Sequence, residues 1–266
     1  MTKGRIIHIG AGSALRPYVR YYWAYRNADP LKVMTFPIGS TQMIFHRGRP
    51  LYVPEIDSWH SAVTLSGQVN FHSHLQSFGN LDMIAVFFTP QGMRAFFDMP
   101  VSELYNREIP ASDIGDSSLT ELGRKVLECQ DTGQCINMID AWLKCRLADR
   151  YNVRRMSLPV YEMTVNPSAS VNSLADLASL GRKQFVRIFK DVIGLNPKEY
   201  QRILRFQKVL YMMQMGCRDE MRMVAECGYS DQSHLVREFR RFSGVTPLGL
   251  FGLMTPYSDF YSNPMI

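Results

Sequence analysis

The chain has 266 residues, of which 46% are hydrophobic and 20% are charged, and its formal net charge is +6. This composition is typical of a folded globular protein and excludes an intrinsically disordered chain. The length predicts two domains, and the longest apolar run, Met83 to Phe88, is far shorter than the ~20 residues of a membrane-spanning helix, so no membrane partner is expected.

Residues 18 to 89 carry short stretches rich in β-branched and aromatic residues, separated by glycine and proline. This is the pattern of strands joined by turns. The stretches are residues 18–25, 32–36, 41–46, 70–77 and 81–89. We predict an antiparallel β-rich domain here, either a sheet or a small barrel, and its aromatic content predicts an apolar pocket or a self-association surface.

After Pro90 the hydrophobic spacing changes to that of helices, which are predicted over residues 92–97, 101–105, 119–127 and 136–147. The predicted organisation is an α+β two-domain protein. Its parts are a β-rich domain with trailing helices (1–150), a proline-containing linker (151–169), an all-α domain (170–252) and a tail predicted to be a loop (253–266).

The all-α part contains an internal repeat with an offset of 50 residues. Without a gap, six of the 24 positions in 174–197 are identical to those in 224–247, where chance predicts about one or two. Each copy predicts a short helix, a tight turn and an amphipathic helix, which is a helix-turn-helix. The short helices are predicted at 171–178 and 220–227, capped by Ser170 and Asp219. The small residues Ala175 and Ala225 are predicted to let the paired helices cross closely.

The second helix of each copy, predicted at 182–192 and 231–243, has one apolar face and one polar face. The residues predicted to be buried are Phe185, Ile188, Phe189 and Val192 in the first copy and Leu235, Phe239 and Phe242 in the second. The outward side chains carry groups suited to base edges and phosphates. The predicted DNA-binding residues are Arg182, Lys183, Arg187, Lys190, Gln232, Ser233, Arg237 and Arg240.

Arg187 and Arg237 occupy equivalent positions in the two copies, so we expect both to contact bases, while Lys183, Lys190 and Arg240 meet phosphates. The alternative is a solvated helix face with intramolecular ion pairs. The pairs considered are Arg187 with Asp191 and Arg237 with Asp231 or Glu238. A third helix, predicted at 197–213 after Asn196-Pro197, would be about 25 Å long. Such a helix suits two recognition helices about one DNA turn, about 34 Å, apart.

These features resemble the double helix-turn-helix of the AraC/XylS family of transcription regulators, over about residues 170–251. The motifs that carry the resemblance are the stretch 174–190, the stretch 194–200 (Gly-Leu-Asn-Pro-Lys-Glu-Tyr), the stretch 227–239 and the stretch 244–247 (Gly-Val-Thr-Pro). Gly181 departs from the family pattern, which usually has a capping Ser or Thr there. The resemblance implies a cytoplasmic, sequence-specific transcription regulator, expected to be an activator, with double-stranded DNA as its partner, no enzymatic activity, no catalytic residue and no cofactor.

The N-terminal part resembles the β-rich domain that precedes this module in one branch of the family. The likeness rests on residues 15–23, the turn 37–39, and the stretches 88–92 and 100–104. It implies that this domain senses a small-molecule effector or forms a homodimer. The other hypothesis is a ligand-binding or enzymatic β domain with a degenerate helical tail.

Three further patterns favour ordinary structural roles. The glycines of Ile9-Gly10-Ala11-Gly12 lack the third glycine of a dinucleotide-binding loop. His72 and His74, with His46 or His60, are predicted to be structural and no metal site is expected, because no glutamate follows at a suitable spacing. The five cysteines include no Cys-x-x-Cys pair, so we expect free, buried thiols.

Overall fold

The structure is a computed structural model that describes residues 5–252. The predicted tail loop, 253–266, lies outside the described residues. The ten strands are β1 (Arg5–Gly10), β2 (Val19–Asn27), β3 (Leu31–Thr35), β4 (Gln42–His46), β5 (Tyr52–Val53), β6 (Ser58–Trp59), β7 (Val63–Ser66), β8 (Ser73–Ser77), β9 (Leu81–Phe88) and β10 (Glu108–Pro110).

The strands form two open sheets in which the paired strands are antiparallel. One sheet has six strands in the order β1-β2-β9-β4-β7-β10, and the other has four in the order β3-β8-β5-β6. The predicted antiparallel β-rich fold is therefore confirmed in its sheet form. The prediction missed β1, the short strands β5 and β6, and the strands β7 and β10.

Strand β9 is buried on both faces because each face has its own apolar layer. Ile84, Val86 and Phe88 belong to the main core, which continues into the helices. Ala85 and Phe87 belong to a second core on the other face, together with Leu51 before β5 and the half-buried Leu75 of β8. The four-stranded sheet thus covers the face of the six-stranded sheet that the helices leave uncovered.

The helices follow the strands in the chain. They are α1 (Met93–Phe96), α2 (Ser117–Glu128), α3 (Thr132–Arg146), α4 (Tyr151–Arg155), α5 (Ser157–Val165), α6 (Val171–Leu177), α7 (Arg182–Ile193), α8 (Pro197–Gln214), α9 (Glu220–Cys227), α10 (Gln232–Ser243) and α11 (Pro247–Gly252). The helix predicted at 101–105 is a 3-10 helix, Val101–Leu104. Most of the predicted linker 151–169 is helical, because α4 and α5 bury Val153, Val160 and Met163.

The N-terminal part packs directly against the C-terminal helices. The rings of Phe36 and Phe206 lie 5.8 Å apart in an edge-to-face contact, and the Gln207 Nε2 amide donates to the carbonyl oxygen of Pro37. Farther along, the Arg94 Nε atom lies 3.2 Å from Asp191 Oδ2. The turn after β3 and the helix α1 therefore both contact the helical part.

The remaining sequence patterns have structural roles in the described residues. Gly10 ends a strand that pairs antiparallel with β2, so the parallel unit of a dinucleotide-binding fold is not present there. The five cysteines are free, as predicted, but only Cys135 and Cys227 are buried, and Cys145 is exposed. No helix within residues 5–252 combines the length and the apolar character needed to cross a bilayer.

Candidate nucleic-acid interface

Helices α6 and α7 form the first helix-turn-helix. The Ser170 hydroxyl caps α6 by accepting a hydrogen bond from the Ser173 amide, as predicted. The turn passes through Ser179, whose φ is +51°. Gly181 then precedes α7 without a side-chain cap. All four predicted core residues of α7, Phe185, Ile188, Phe189 and Val192, are buried.

Helices α9 and α10 form the second helix-turn-helix, and both are capped by aspartate. The Asp219 carboxylate accepts from two backbone amides at the start of α9. The Asp231 carboxylate accepts from the His234 amide at 2.7 Å, and this bond is the main reason why the pKa of Asp231 is lowered. Leu235, Phe239 and Phe242 of α10 are buried, as predicted.

The two copies differ by one residue in the turn. The buried positions of α6 and its C-cap residue are Val171, Leu174, Ala175 and Ala178. Those of α9 are Glu220, Met223, Val224 and Cys227, which is an offset of 49. The second helices keep the offset of 50. Counted from the residue with positive φ, Ser179 or Gly228, to the first residue of the second helix, Arg182 or Gln232, the second turn is therefore one residue longer. The prediction for Ala225 was therefore wrong: this residue is exposed, and Val224 takes the place of Ala175.

All eight predicted DNA-binding residues are exposed to solvent, on the faces of α7 and α10 opposite their buried faces. On α7 they are Arg182, Lys183, Arg187 and Lys190. On α10 they are Gln232, Ser233, Arg237 and Arg240, and together with Val236 these line a shallow depression. Both helices thus present basic and amide groups on an accessible surface.

The carboxylates considered as ion-pair partners of the two central arginines bind other groups. Asp191 pairs with Arg94, and Glu238 pairs with Arg202 and Arg205 of α8. Asp231 caps its own helix. Among residues 5–252, no carboxylate lies within salt-bridge distance of Arg187 or Arg237.

Helix α8 connects the two copies and orients them. It starts with a capping box between Asn196 and Glu199 and runs for 18 residues, about 27 Å. The ring of Phe206 lies 5.0 Å from that of Phe239 and 5.3 Å from that of Phe242. The Glu238 carboxylate, which is 3% exposed, adds a polar connection from α10 to α8. On the other side, the ring of Tyr200 in α8 lies 5.8 Å from that of Phe189 in α7, so α7 and α10 both pack on this one helix.

One contact of the interface was not predicted from the sequence. The Gln232 side chain donates from Nε2 to Glu220 Oε2, which is the first residue of α9 and is buried. The amide oxygen of Gln232 remains oriented by this bond as an acceptor. The turn between α9 and α10 brings these two residues together, and neither residue type carries a signal for the contact.

Comparisons with known proteins agree with this geometry. Residues 174–251 match a family model described as a helix-turn-helix domain. Residues 8–110 match a family described as a domain of unknown function, DUF6597. The exposed faces of α7 and α10 described above thus lie within the first of these matches.

Two curated relatives are bacterial regulators by name. An uncharacterized HTH-type transcriptional regulator of Haemophilus influenzae is 23% identical over 152 residues, 56% of this chain and 50% of that protein. The HTH-type transcriptional regulator ArgR of Pseudomonas aeruginosa is 26% identical over 105 residues, 40% of this chain and 32% of that protein. The matches thus span about half or less of the length of these relatives.

Among solved structures, ToxT from Vibrio cholerae O395 is similar over 96% of this chain and 98% of its own, with 12% identity and a TM-score of 0.43. From the family match, the paired helix-turn-helix units and the named relatives, this chain carries the double helix-turn-helix of AraC/XylS-type transcription regulators behind an N-terminal DUF6597 domain.

Proposed function

We propose that this protein is a sequence-specific DNA-binding transcription regulator that inserts α7 and α10 into two successive major grooves. The observation that supports this most directly is the pair of equivalent arginines, Arg187 and Arg237, which are exposed and have no intramolecular ion pair among the described residues. A guanidinium that no carboxylate neutralises can form a bidentate contact with guanine O6 and N7.

The other exposed basic residues lie beside these arginines. Lys183 and Lys190 flank Arg187, and Arg240 lies one turn after Arg237. In the proposal these side chains bind phosphates, which orient the protein on the duplex without specifying bases. The role is non-enzymatic, and the proposed location is the cytoplasm, where a regulator meets the DNA.

The proposal includes control of DNA binding through the N-terminal part, by a small ligand or by self-association. The support is the direct contact of Phe36, Pro37 and α1 with the C-terminal helices. A change in the β-sheet part would reach α7 and α8 through contacts that already exist. The domain division at 151–169 remains part of this proposal, with α4 and α5 as its helical connection.

The test separates base contacts from phosphate contacts on DNA that the wild-type protein selects from a randomised pool. Arg187→Ala and Arg237→Ala should each lose about 1–3 kcal/mol of discrimination at one half of the selected site while folding is preserved. Lys190→Ala should weaken binding to all sequences and flatten the log-log salt dependence by about one unit.

Lys125→Ala is the matched control, because Lys125 is an exposed cation on α2, far along the chain from the proposed interface. Its salt dependence and its selected sequence should equal those of the wild type. Unchanged affinity, specificity and salt dependence in both arginine variants would show that α7 and α10 do not contact DNA in this way.

A further inference from the structure

A cleft of about 350 Å³ lies between the four-stranded sheet and strands β7 and β10. We call it the inter-sheet cleft. Its lining includes Trp59, His60, Phe71, Leu75 and Glu108. His60, Leu75 and Glu108 also line a deeper space that reaches Ser40 in the turn before β4. The volume of the inter-sheet cleft, about 350 Å³, is within the range of small-molecule sites, about 300–1,000 Å³.

The floor of the inter-sheet cleft is a carboxylate held by two protein donors. The Glu108 Oε2 atom lies 3.0 Å from His60 Nε2, and Glu108 Oε1 accepts from the Ser66 hydroxyl at 3.0 Å. Burial alone would raise the pKa of Glu108, but the neighbouring His60 and the hydrogen bonds from His60 and Ser66 outweigh it and lower the pKa. Glu108 is therefore ionised at neutral pH.

The second histidine behind this pair adds no positive charge. The His46 Nε2 atom lies 3.3 Å from His60 Nδ1. Burial, followed by the proximity of His60, lowers the pKa of His46 to about 3, so His46 is neutral at pH 7. The Glu108 side chain is 35% exposed and keeps lone pairs beyond those that its two donors occupy. The cleft, whose lining also includes Arg107, thus offers the free lone pairs of the Glu108 carboxylate to an incoming donor.

The walls of the cleft are aromatic and accessible. Trp59 is 42% exposed and Phe71 is 44% exposed, and both side chains line the same cleft, where they form part of one apolar surface. Trp59 already attracts one cation, because the Arg49 guanidinium lies 4.7 Å from its ring centroid. Aromatic walls beside a carboxylate are complementary to a cationic nitrogen on an apolar body.

An independent observation comes from the deeper space. The Ser40 side chain is 3% exposed, and its hydroxyl has no hydrogen-bond partner within the described part of the chain. A buried hydroxyl without a partner costs free energy, which a polar group entering the cleft would recover. Ser40 lines the same space as Glu108, and this space of about 80 Å³ adjoins the inter-sheet cleft at His60, Leu75 and Glu108.

We propose that the inter-sheet cleft binds a small organic cation, an amine or amidine on an aromatic or aliphatic body, with the nitrogen on Glu108 and the body against Trp59 and Phe71. This inference rests on the proposed function and deepens it by naming the chemical class of the effector. A metal ion is the less suitable occupant, because residues 5–252 contain no group of three or more metal-ligating side chains suitably placed.

The test uses three probes of the same shape on the full-length protein: benzylamine, benzyl alcohol and benzoate. Calorimetry and tryptophan fluorescence should detect benzylamine binding in the millimolar range or tighter, with at least tenfold weaker binding of the other two. Glu108→Gln should weaken benzylamine binding about tenfold or more, and Trp59→Leu should weaken it and remove most of the fluorescence change. Glu103→Gln, an exposed carboxylate on the 3-10 helix outside the cleft, should change nothing.

Folding of each variant is checked by its melting temperature and by its affinity for DNA. If Glu108→Gln proves unstable, the two Trp59 variants test the cleft instead. Trp59→Phe keeps an aromatic wall and should retain benzylamine binding by calorimetry, while Trp59→Leu should weaken it. Any of three results overturns the proposal. These are binding of benzoate or benzyl alcohol as tight as that of benzylamine, undiminished benzylamine binding by folded Glu108→Gln, and no binding of benzylamine. DNA affinity measured on the same samples shows separately whether the proposed DNA-binding function holds.

Discussion

Glu238 connects α10 to α8, and its replacement by glutamine should destabilise the second helix-turn-helix more than any surface change. The Glu238 Oε2 atom lies 2.7 Å from Arg202 Nε and 2.9 Å from Arg205 Nη2, and Oε1 accepts from Arg205 Nε at 3.1 Å. The carboxylate is 3% exposed, Arg205 is 13% exposed and Arg202 is 30% exposed. Glutamine keeps the shape but leaves two guanidinium groups without a counter-charge.

The expected loss in the free energy of unfolding follows from the burial of Glu238 and Arg205. Breaking a buried ion pair by removing one partner costs about 3–5 kcal/mol. Arg202 can regain water, so we expect the lower end, about 3 kcal/mol. For a chain of this size that corresponds to a fall in melting temperature of about 6–12 °C.

The assay is thermal unfolding followed by circular dichroism, with Glu226→Gln as the matched control. Glu226 pairs with Arg222 one turn away on α9, where the two side chains are 44% and 62% exposed. Exposed pairs of this kind contribute about 0.3–0.5 kcal/mol, so the control should melt within about 2 °C of the wild type. Equal, small shifts in both variants would refute the argument that burial makes the Glu238 network important.

One further prediction concerns the contact between the N-terminal and C-terminal parts of the chain, and another concerns His46. Gly194→Ala should lower the free energy of unfolding more than Gly216→Ala. Both glycines have positive φ, but of the two only Gly194 would place a Cβ against another segment, 3.0 Å from Val101 Cγ1. Equal losses in urea unfolding would exclude a steric contribution at Gly194. The pKa of His46 is about 3 in the folded protein and about 6.5 in the unfolded chain, so the unfolded chain takes up a proton first as the pH falls. The free energy of unfolding should therefore decrease below about pH 6.5, by about 2 kcal/mol at pH 5. His46→Gln should remove this part of the slope of stability against pH, and an unchanged slope would contradict it.

The helical part could be predicted from the sequence because its signals are local. Caps such as Ser170 and Asp219, and the apolar spacing of Phe185 and Phe189, act within one or two helical turns. The error at Ala225 has the same origin. An alignment without gaps cannot register one extra residue in a turn, and only the burial pattern of α9 reveals it.

The sheets and the cleft depend on pairings that are distant in sequence. Strand β7 pairs with both β4 and β10, and its four residues are too few to give a periodic signal. His60 and Glu108 meet because of these pairings, although 47 residues separate them in the chain. His60 was considered only with the other histidines and was predicted to be structural, and no local pattern links it to Glu108, so the cleft could not be predicted before the fold.

The extra residue in the second turn has a consequence for the proposed binding to DNA. Because the turns differ, and because Gln232 and Glu220 correspond to Arg182 and Val171 in the first copy, the two halves present unlike surfaces. Unlike surfaces joined by one rigid helix favour a target without internal symmetry. Such a target has a polarity. Inverting it would turn the N-terminal part to face the opposite direction along the duplex, so the effect on a neighbouring promoter should depend on orientation as well as on distance.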